Sequence, residues 1–363
     1  MSGANIKQFP CAVCGADVVW DPGLGAQRCA NCGATVAPPR PAAVVREQDF
    51  ATWARTAVGE QDLHEVLVVR CGDCGGETTF RENVAAGLCA FCASPIAAHG
   101  VSRKLIKPAA LLPFRITRTQ ALERFGSWIR SRWLAPNALK RLAVAESQHL
   151  RGVYIPFWTY DAATTTAYTG ERGDDYTVSE TFTAVENGRT VTKTRMVTKT
   201  RWSFASGSVE NTFDDVLVCA SGSVPEGIVR KLEPWDMESL VPYEDAYLAG
   251  FESESYRLDL TGGLEAAKEI MRGAIHQTIC ADIGGDHQRV SSADTSYRDI
   301  SFKHLLLPLW LCVYRFQDRV FRFVVNARTG EVQGEHPWSW VKITLLVLVV
   351  AAVAATIAYI QRQ

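Results

Sequence analysis

Eight cysteines carry the clearest chemistry in this chain. Cys11-x-x-Cys14 is followed, after fourteen residues, by Cys29-x-x-Cys32, and Cys71-x-x-Cys74 is followed at the same interval by Cys89-x-x-Cys92. The second set is the first shifted by sixty positions. A CxxC turn brings two thiolates to one ion, and two such turns complete a tetrahedron. Gly15, Gly33 and Gly75 follow their pairs and tolerate the positive φ such a turn asks for. Ala93 stands in the fourth place, which predicts a less regular knuckle. Segments such as Asp17–Trp20 and Glu77–Phe80 are expected to link the knuckles as short strands. The pattern therefore predicts two zinc ribbons, with Cys11, Cys14, Cys29 and Cys32 on one Zn2+ and Cys71, Cys74, Cys89 and Cys92 on another.

Redox dithiols also use CxxC, but they come singly inside a βαβ pattern, and none surrounds these pairs. Disulfides conflict with the cytoplasmic placement argued below. With protein at all four positions no site remains open for catalysis at the metal. Binding would contribute about 10–16 kcal/mol per site, which so small a ribbon needs in order to fold. Each site is expected to close locally, so Cys11→Ser or Cys71→Ser should unfold its own ribbon and spare the rest. Cys219, Cys280 and Cys312 sit among apolar neighbours and are expected in the core.

The elements that must position these sites come from a chain of 363 residues, 47% hydrophobic and 21% charged, with net charge −1. That length suits two or three compact domains and excludes fibrous and disordered classes. Near-neutrality argues against adhesion of the whole chain to nucleic acid or anionic membrane. The N-terminal MSGANIKQFP lacks the charged-then-apolar order of a secretory leader. At the other end Ile343–Ile360 is eighteen uncharged residues, about 27 Å as a helix and close to the thickness of a bilayer core. Trp338, Trp340 and Tyr359 flank it as interfacial aromatics, and Lys342 is placed to snorkel to a headgroup. This predicts a single-pass tail anchor in the inner (cytoplasmic) membrane with the body in the cytoplasm. Ala351-x-x-x-Ala355 and Ala354-x-x-x-Ala358 could let two anchors pack as a homo-oligomer, although alanine is simply common in such helices.

Between ribbons and anchor the pattern is α+β. Pro38-Pro39-Arg40-Pro41 opens a linker that leads into a short helical segment at Gln48–Val58. Thr117-x-x-Gln120 is a capping box, and Leu122, Phe125, Trp128, Ile129 and Trp133 form a helical apolar stripe ended by Pro136. From Val101 to Arg141 ten basic residues face one acidic residue, a net +9. That segment either faces the acidic stretch Glu210–Asp299, or is solvated, or presents a basic surface to phospholipid headgroups or nucleic acid. Arg151–Ala220 has the composition of antiparallel sheet, and Asn187-Gly188 is a two-residue hairpin turn that sets Glu180 opposite Arg195 and Val178 opposite Val197. Arg189, Lys193, Arg195, Lys199 and Arg201 then share a solvated face, with Met196, Trp202 and threonines on the other. Gly263–Gln277 is helical in pattern; Leu305–Tyr314 and Val320–Val325 are strands, the latter turning at Asn326–Gly330.

The chain has no GxxxxGK[ST], GxSxG, HExxH or GxGxxG. Asp282-Ile-Gly-Gly-Asp286-His287 could bind a metal, but its composition suits a turn better, and Phe213-Asp214-Asp215 is likewise expected to be a turn. The sequence thus divides into ribbon 1 (1–37), linker (38–65), ribbon 2 (66–100), an α+β body (101–336) that starts with the basic helical segment 101–141, and the anchor (338–360).

Taken together, the paired ribbons, Leu112-Pro-Phe-Arg-Ile-Thr117, Trp133-Leu-Ala-Pro-Asn137, Gly152-Val-Tyr-Ile-Pro-Phe-Trp158, Tyr168-Thr-Gly-Glu-Arg-Gly173, Phe213-Asp-Asp-Val-Leu-Val218, Asp282-Ile-Gly-Gly-Asp286, Leu306-Leu-Pro-Leu-Trp310 and Asn326–Trp338 resemble a bacterial family of membrane-anchored proteins with TFIIB-type zinc ribbons, often labelled similar to primosomal protein N′ or superfamily II helicases. With no nucleotide-binding loop, the helicase label does not carry over. The resemblance implies a membrane-attached scaffold, with a flotillin-like (SPFH) membrane protein among the partners and a membrane-stress or membrane-organisation system as the setting; the closed zinc sites, the tail anchor and the lack of a catalytic motif make the expected role that of a non-enzymatic adaptor. A tethered nucleic-acid binder is the alternative.

Overall fold

Short polar hairpins, long threonine-rich strands and two apolar helices divide this molecule, and each follows from local sequence. The computed structural model describes residues 9–37, 45–55, 63–79, 86–92, 94–97, 101–138, 150–186, 189–316 and 319–361. The first ribbon is a three-stranded sheet of β1 (Val18–Asp21), β2 (Ala26–Cys29) and β3 (Thr35–Val36). β4 (Gln48–Asp49) leads into the short helix α1 (Phe50–Arg55), as the pattern from Gln48 foresees; Val58 and Pro38–Pro41 lie outside the described residues. β5 (Leu63–Arg70) and β6 (Glu77–Thr79) flank the Cys71–Cys74 turn, and β7 (Ala86–Leu88) pairs with β8 (Pro95–Ala97) around Cys89–Cys92. Phe80 and Ala93 are outside the described residues.

β9 (Val101–Ile106) and β10 (Ala110–Leu111) precede helix α2 (Arg118–Ser131). The capping box forms as the sequence dictates: Thr117 Oγ1 accepts from Gln120 N, and Gln120 Oε1 accepts from Thr117 N. Phe125 and Ile129 are buried, but the helix ends at Ser131 rather than Pro136, so Trp133 lies beyond the stripe and is exposed. Arg132 N donates to Ile129 O, a tightened last turn that stops the helix early.

The core of the body is a ladder of β11 (Arg151–Glu186), β12 (Arg189–Cys219) and, beyond β13 (Val241–Pro242), β14 (Glu252–Glu254) and helix α3 (Leu260–Ile283), the strand β15 (His287–Phe316). β16 (Arg319–Asn326) and β17 (Val332–Gly334) extend its edge. Strands usually run about 3–10 residues; β11 has 36. The sheet is mixed, not purely antiparallel, because β10 runs parallel to β15 and β14 parallel to β11. Its order is β13-β10-β15-β11-β14-β6-β5-β9, so the strands around the second cysteine set belong to the sheet of the body.

Helix α3 covers the middle of this ladder. Leu264, Ala267, Met271, Ile275, Ile279 and Ile283 form its buried stripe against Trp158, Tyr160 and Tyr168. Each such aliphatic side chain contributes about 1.5–3 kcal/mol when buried. The helix is longer than Gly263–Gln277 because Asp259 caps it, accepting from Gly262 N at 2.7 Å, and because Gly284, at φ 66°, ends it. At Gly263 a β-carbon would stand 2.4 Å from Tyr160 Oη, so only glycine allows the approach. Asp214 and Asp215 do not form a turn but lie inside β12 at a bulge: Asp215 has φ 53° and donates its N–H to Asp161 Oδ1 at 2.6 Å.

The hairpin register is the one the sequence predicts: Glu180 faces Arg195 and Val178 faces Val197. Asn187-Gly188 itself is outside the described residues. β15 leaves the ladder at the Gly173–His287 pair, and beyond it β11 and β12 continue alone for thirteen further pairs, about 43 Å. The sequence predicts one solvated face here; both are solvated, since no described side chain from Asp174 to Arg201 is buried. We call this two-stranded projection the arm. Deleting residues 177–198 and rejoining Tyr176 to Lys199 through Asn-Gly should leave the melting temperature of the body within about 2–4 °C of the parent, as for a change of about 1 kcal/mol. Loss of cooperative melting by circular dichroism would show that the arm is part of the core.

Candidate metal centres

Four knuckles are built to one plan. In each, the N–H of the first cysteine donates to the carbonyl five residues on, as Cys11 to Ala16, Cys29 to Ala34, Cys71 to Gly76 and Cys89 to Ser94. Gly15, Gly33 and Gly75 close the turns at φ 70–74°, donating back to Cys11, Cys29 and Cys71. These turns bring together the eight cysteines the sequence singles out, as two sets whose sulfurs lie within 4.8 Å of one another. Cys11–Cys32 and Cys14–Cys29 approach to 3.5 Å, Cys71–Cys92 to 3.5 Å and Cys74–Cys89 to 3.6 Å. Disulfide sulfurs stand at about 2.05 Å, and all eleven cysteines are free thiols. A tetrahedron with metal–sulfur bonds of about 2.3 Å has edges of about 3.8 Å, so each set is the size to hold one metal ion.

The electrostatics point the same way. The backbone N–H of Cys32, with that of Asn31, holds Cys29 down to about 6. Cys32, although it accepts from the Ala34 N–H, is pushed up to about 12 by the sulfurs of Cys11 and Cys14. Four thiolates cannot share this volume without a cation, and a cation displaces their protons.

The two sets differ in how they meet the body. The first is an appendage. Trp20 of β1 is its plug: Nε1 donates to Phe114 O at 3.2 Å, the ring lies 4.7 Å from that of Tyr247, and Gln27 Nε2 donates to Ala246 O. The second set is embedded. Cys71, Cys89 and Phe91 belong to one apolar cluster with Leu112, Val153, Ile155 and Leu307, and Arg322 Nε donates to Phe91 O at 3.0 Å. The second set is thus packed into the body, whereas the first meets it through Trp20 and Gln27. The signal was present in the sequence: Asn31 in Cys29-Ala-Asn-Cys32 is exposed and donates to Cys14 Sγ, whereas Phe91 in Cys89-Ala-Phe-Cys92 is fully buried.

Other polar clusters are joints. Glu47, Asp161 and Asp214 place carboxylate oxygens within 4.8 Å of one another, but Lys303 Nζ lies 2.9 Å from Glu47 and 2.6 Å from Asp215, and Ser301 Oγ is 2.6 Å from Asp161. This network fastens β4 to β15. Asp282 accepts from Tyr168 Oη, Asp286 accepts from Asp175 N at 2.8 Å, and His287 Nε2 lies 3.1 Å from Asp175, so the Asp282–His287 segment is the expected turn and braces the base of the arm. The basic segment is dispersed: Arg103 pairs with Glu77 at 2.9 Å, Lys107 lies over Tyr243 and Arg132 over Trp128; Lys140 and Arg141 are outside the described residues. Cys312 is buried as expected, while Cys219 and Cys280 are only half-buried, Cys280 lying 3.6 Å from His276 Nδ1.

Glu254, which sequence reasoning passes over, is buried beside the second ribbon. Burial raises its carboxyl to about 7, against hydrogen bonds from Ser221 Oγ, Ser223 Oγ and Gly222 N. The folded protein keeps a proton that the unfolded chain loses above pH ~4.5, so the contribution of Glu254 to stability falls as pH rises from ~4.5 to ~7 and is flat above. Glu254→Gln should remove that slope, about 3 kcal/mol across the window, in urea denaturation of the metal-loaded protein at a series of pH values; an identical slope in both proteins would contradict the assignment. Cys71→Ser and Phe91→Ala should each lower the melting temperature of the whole body, Phe91→Ala by about 3–5 kcal/mol of stability. Cys11→Ser should leave the body's transition in place and release Trp20, seen as a red shift of its emission. Equal effects of Cys11→Ser and Cys71→Ser on the body would refute the asymmetry.

No family model and no solved structure matches the chain. A protein of Bacillus subtilis (strain 168), called uncharacterized protein YdjG, is 25% identical over 349 residues, which is 93% of this chain and 92% of that protein.

Proposed function

We propose that this chain is a membrane-tethered, non-enzymatic adaptor of the bacterial zinc-ribbon kind that the sequence resembles, holding two Zn2+ and facing the cytoplasm. The observation that carries this reading is the closure of both four-sulfur sets. Every tetrahedral position is taken by a cysteine, so the ion has a structural role: it holds a surface in shape and leaves no place for water or substrate. Zinc suits an all-thiolate tetrahedron, and two Zn2+ per chain is the proposed loading.

The tether is supported by α4 (Trp340–Ile360), 21 residues with mean hydropathy 2.7 and no part buried against the protein. It is long and apolar enough to cross a bilayer. The arm supports the adaptor role, since it exposes the apolar side chains Phe182, Val185 and Met196. A flotillin-like membrane protein is the kind of partner the resemblance implies. In this reading the body carries the arm, and the metal ions keep its anchored end rigid.

Removal of residues 343–363 should move the chain from the membrane pellet to the supernatant at high salt while the body keeps its cooperative thermal transition. Retention of the truncated, folded chain on membranes at high salt would overturn the tether.

A further inference from the structure

Helix α4 is not a loose tail. Ser339 N donates to Leu134 O at 2.9 Å, and Lys342 Nζ donates to Trp133 O at 2.9 Å, Ala135 O at 2.7 Å and Asn137 Oδ1 at 2.9 Å. The ammonium that the sequence assigns to a lipid headgroup is thus spent on the segment that follows α2, three donors on three acceptors. These bonds hold residues 133–137 at the level of the first turn of α4, where the apolar run begins. The depth of that segment in or on a bilayer then follows from the depth of the helix.

The side chains held there suit a membrane–water boundary. Trp133 is 58% exposed, and Trp338 and Trp340, on the other side of the junction, are 58% and 79% exposed. Arg130 and Arg132 are exposed beside them, Arg130 within reach of Ser127 Oγ and Arg132 lying 4.9 Å from the Trp128 ring. Trp128, His336 and Trp338 continue as a row of rings with centroids 6.1 and 5.3 Å apart. Glu335, which precedes His336, is fixed by its backbone: its N–H donates to Arg322 O and its carbonyl accepts from Tyr314 Oη.

We infer that the C-terminal end of α2 is a second membrane contact, in which Arg130 and Arg132 take anionic phospholipid headgroups while Trp133 lies at headgroup level beside Trp338 and Trp340. The inference rests on α4 crossing a bilayer. It adds that the body stands on the membrane at a fixed angle instead of swinging from its anchor. Interfacial tryptophans prefer the headgroup layer, and each arginine near an anionic surface is attracted to it. Because the contact is continuous with α4, its occupant is lipid.

The full chain in nanodiscs carrying lipid brominated near the headgroup tests this. Insertion is read first, as resistance to alkaline carbonate extraction. Trp133→Phe should then reduce the quenched tryptophan emission by about a third, since one of three exposed rim tryptophans is removed. In native mass spectrometry the full chain should retain phosphatidylglycerol over phosphatidylcholine, and Arg130→Gln/Arg132→Gln should cut that preference on the order of tenfold. A chain that resists extraction yet shows equal quenching with and without Trp133, or keeps its lipid preference in the double variant, overturns the inference and leaves the tether standing. Release of the chain by alkaline carbonate overturns the tether and the inference with it.

Discussion

The pairing of Arg151–Gly173 with His287–Leu311 is the constraint on which the rest of the molecule depends. Every other part attaches to one end or one face of that ladder. β14, β6, β5 and β9 extend it toward the second cysteine set, α3 covers its face, and the arm is what remains of β11 and β12 after β15 has left. A slip of one residue would turn the buried Tyr154, Trp158 and Tyr160 toward the other face. The bulge at Asp161–Asp215 limits such slips, because the left-handed backbone of Asp215 is held there by its N–H bond to the Asp161 carboxylate.

Attachment to one ladder gives the two metal sites different consequences. At the second, the turn that supplies Cys89 and Cys92 also supplies Phe91 to the central apolar cluster, so occupying the site and completing the core are one event. The first site stabilises a small sheet that docks through Trp20, whose ring joins the apolar cluster of Phe114, Tyr154 and Tyr247. The helix α4 departs from the same region through the Lys342 bonds to the segment after α2. The two cysteine sets and the apolar helix α4 therefore gather at one end, and the arm extends from the other.

What the sequence made legible was local. The CxxC spacing, the Thr117–Gln120 box, the Asn187-Gly188 register and the apolar run at 343–360 each depend on residues close in the chain, and each has the form expected wherever it is described. What escaped was set by distant partners. His287–Asp299 alternates too little to be seen as strand, yet β11 pairs with it from His287 to Arg298, skipping only Ser291. The two solvated faces of the arm could not be read either, since a period of two says that faces differ but not that both lack a cover. Lys342 looked like a snorkelling cation because its acceptors lie about two hundred positions away.

X-ray absorption at the zinc edge of the full purified chain bears most directly on the central claim, that two closed cysteine sites hold structural ions. The account predicts four sulfur scatterers at about 2.3 Å around each zinc and no oxygen or nitrogen in the first shell. A light-atom ligand at about 2.0 Å would mean an open coordination position, and the non-enzymatic reading would fall.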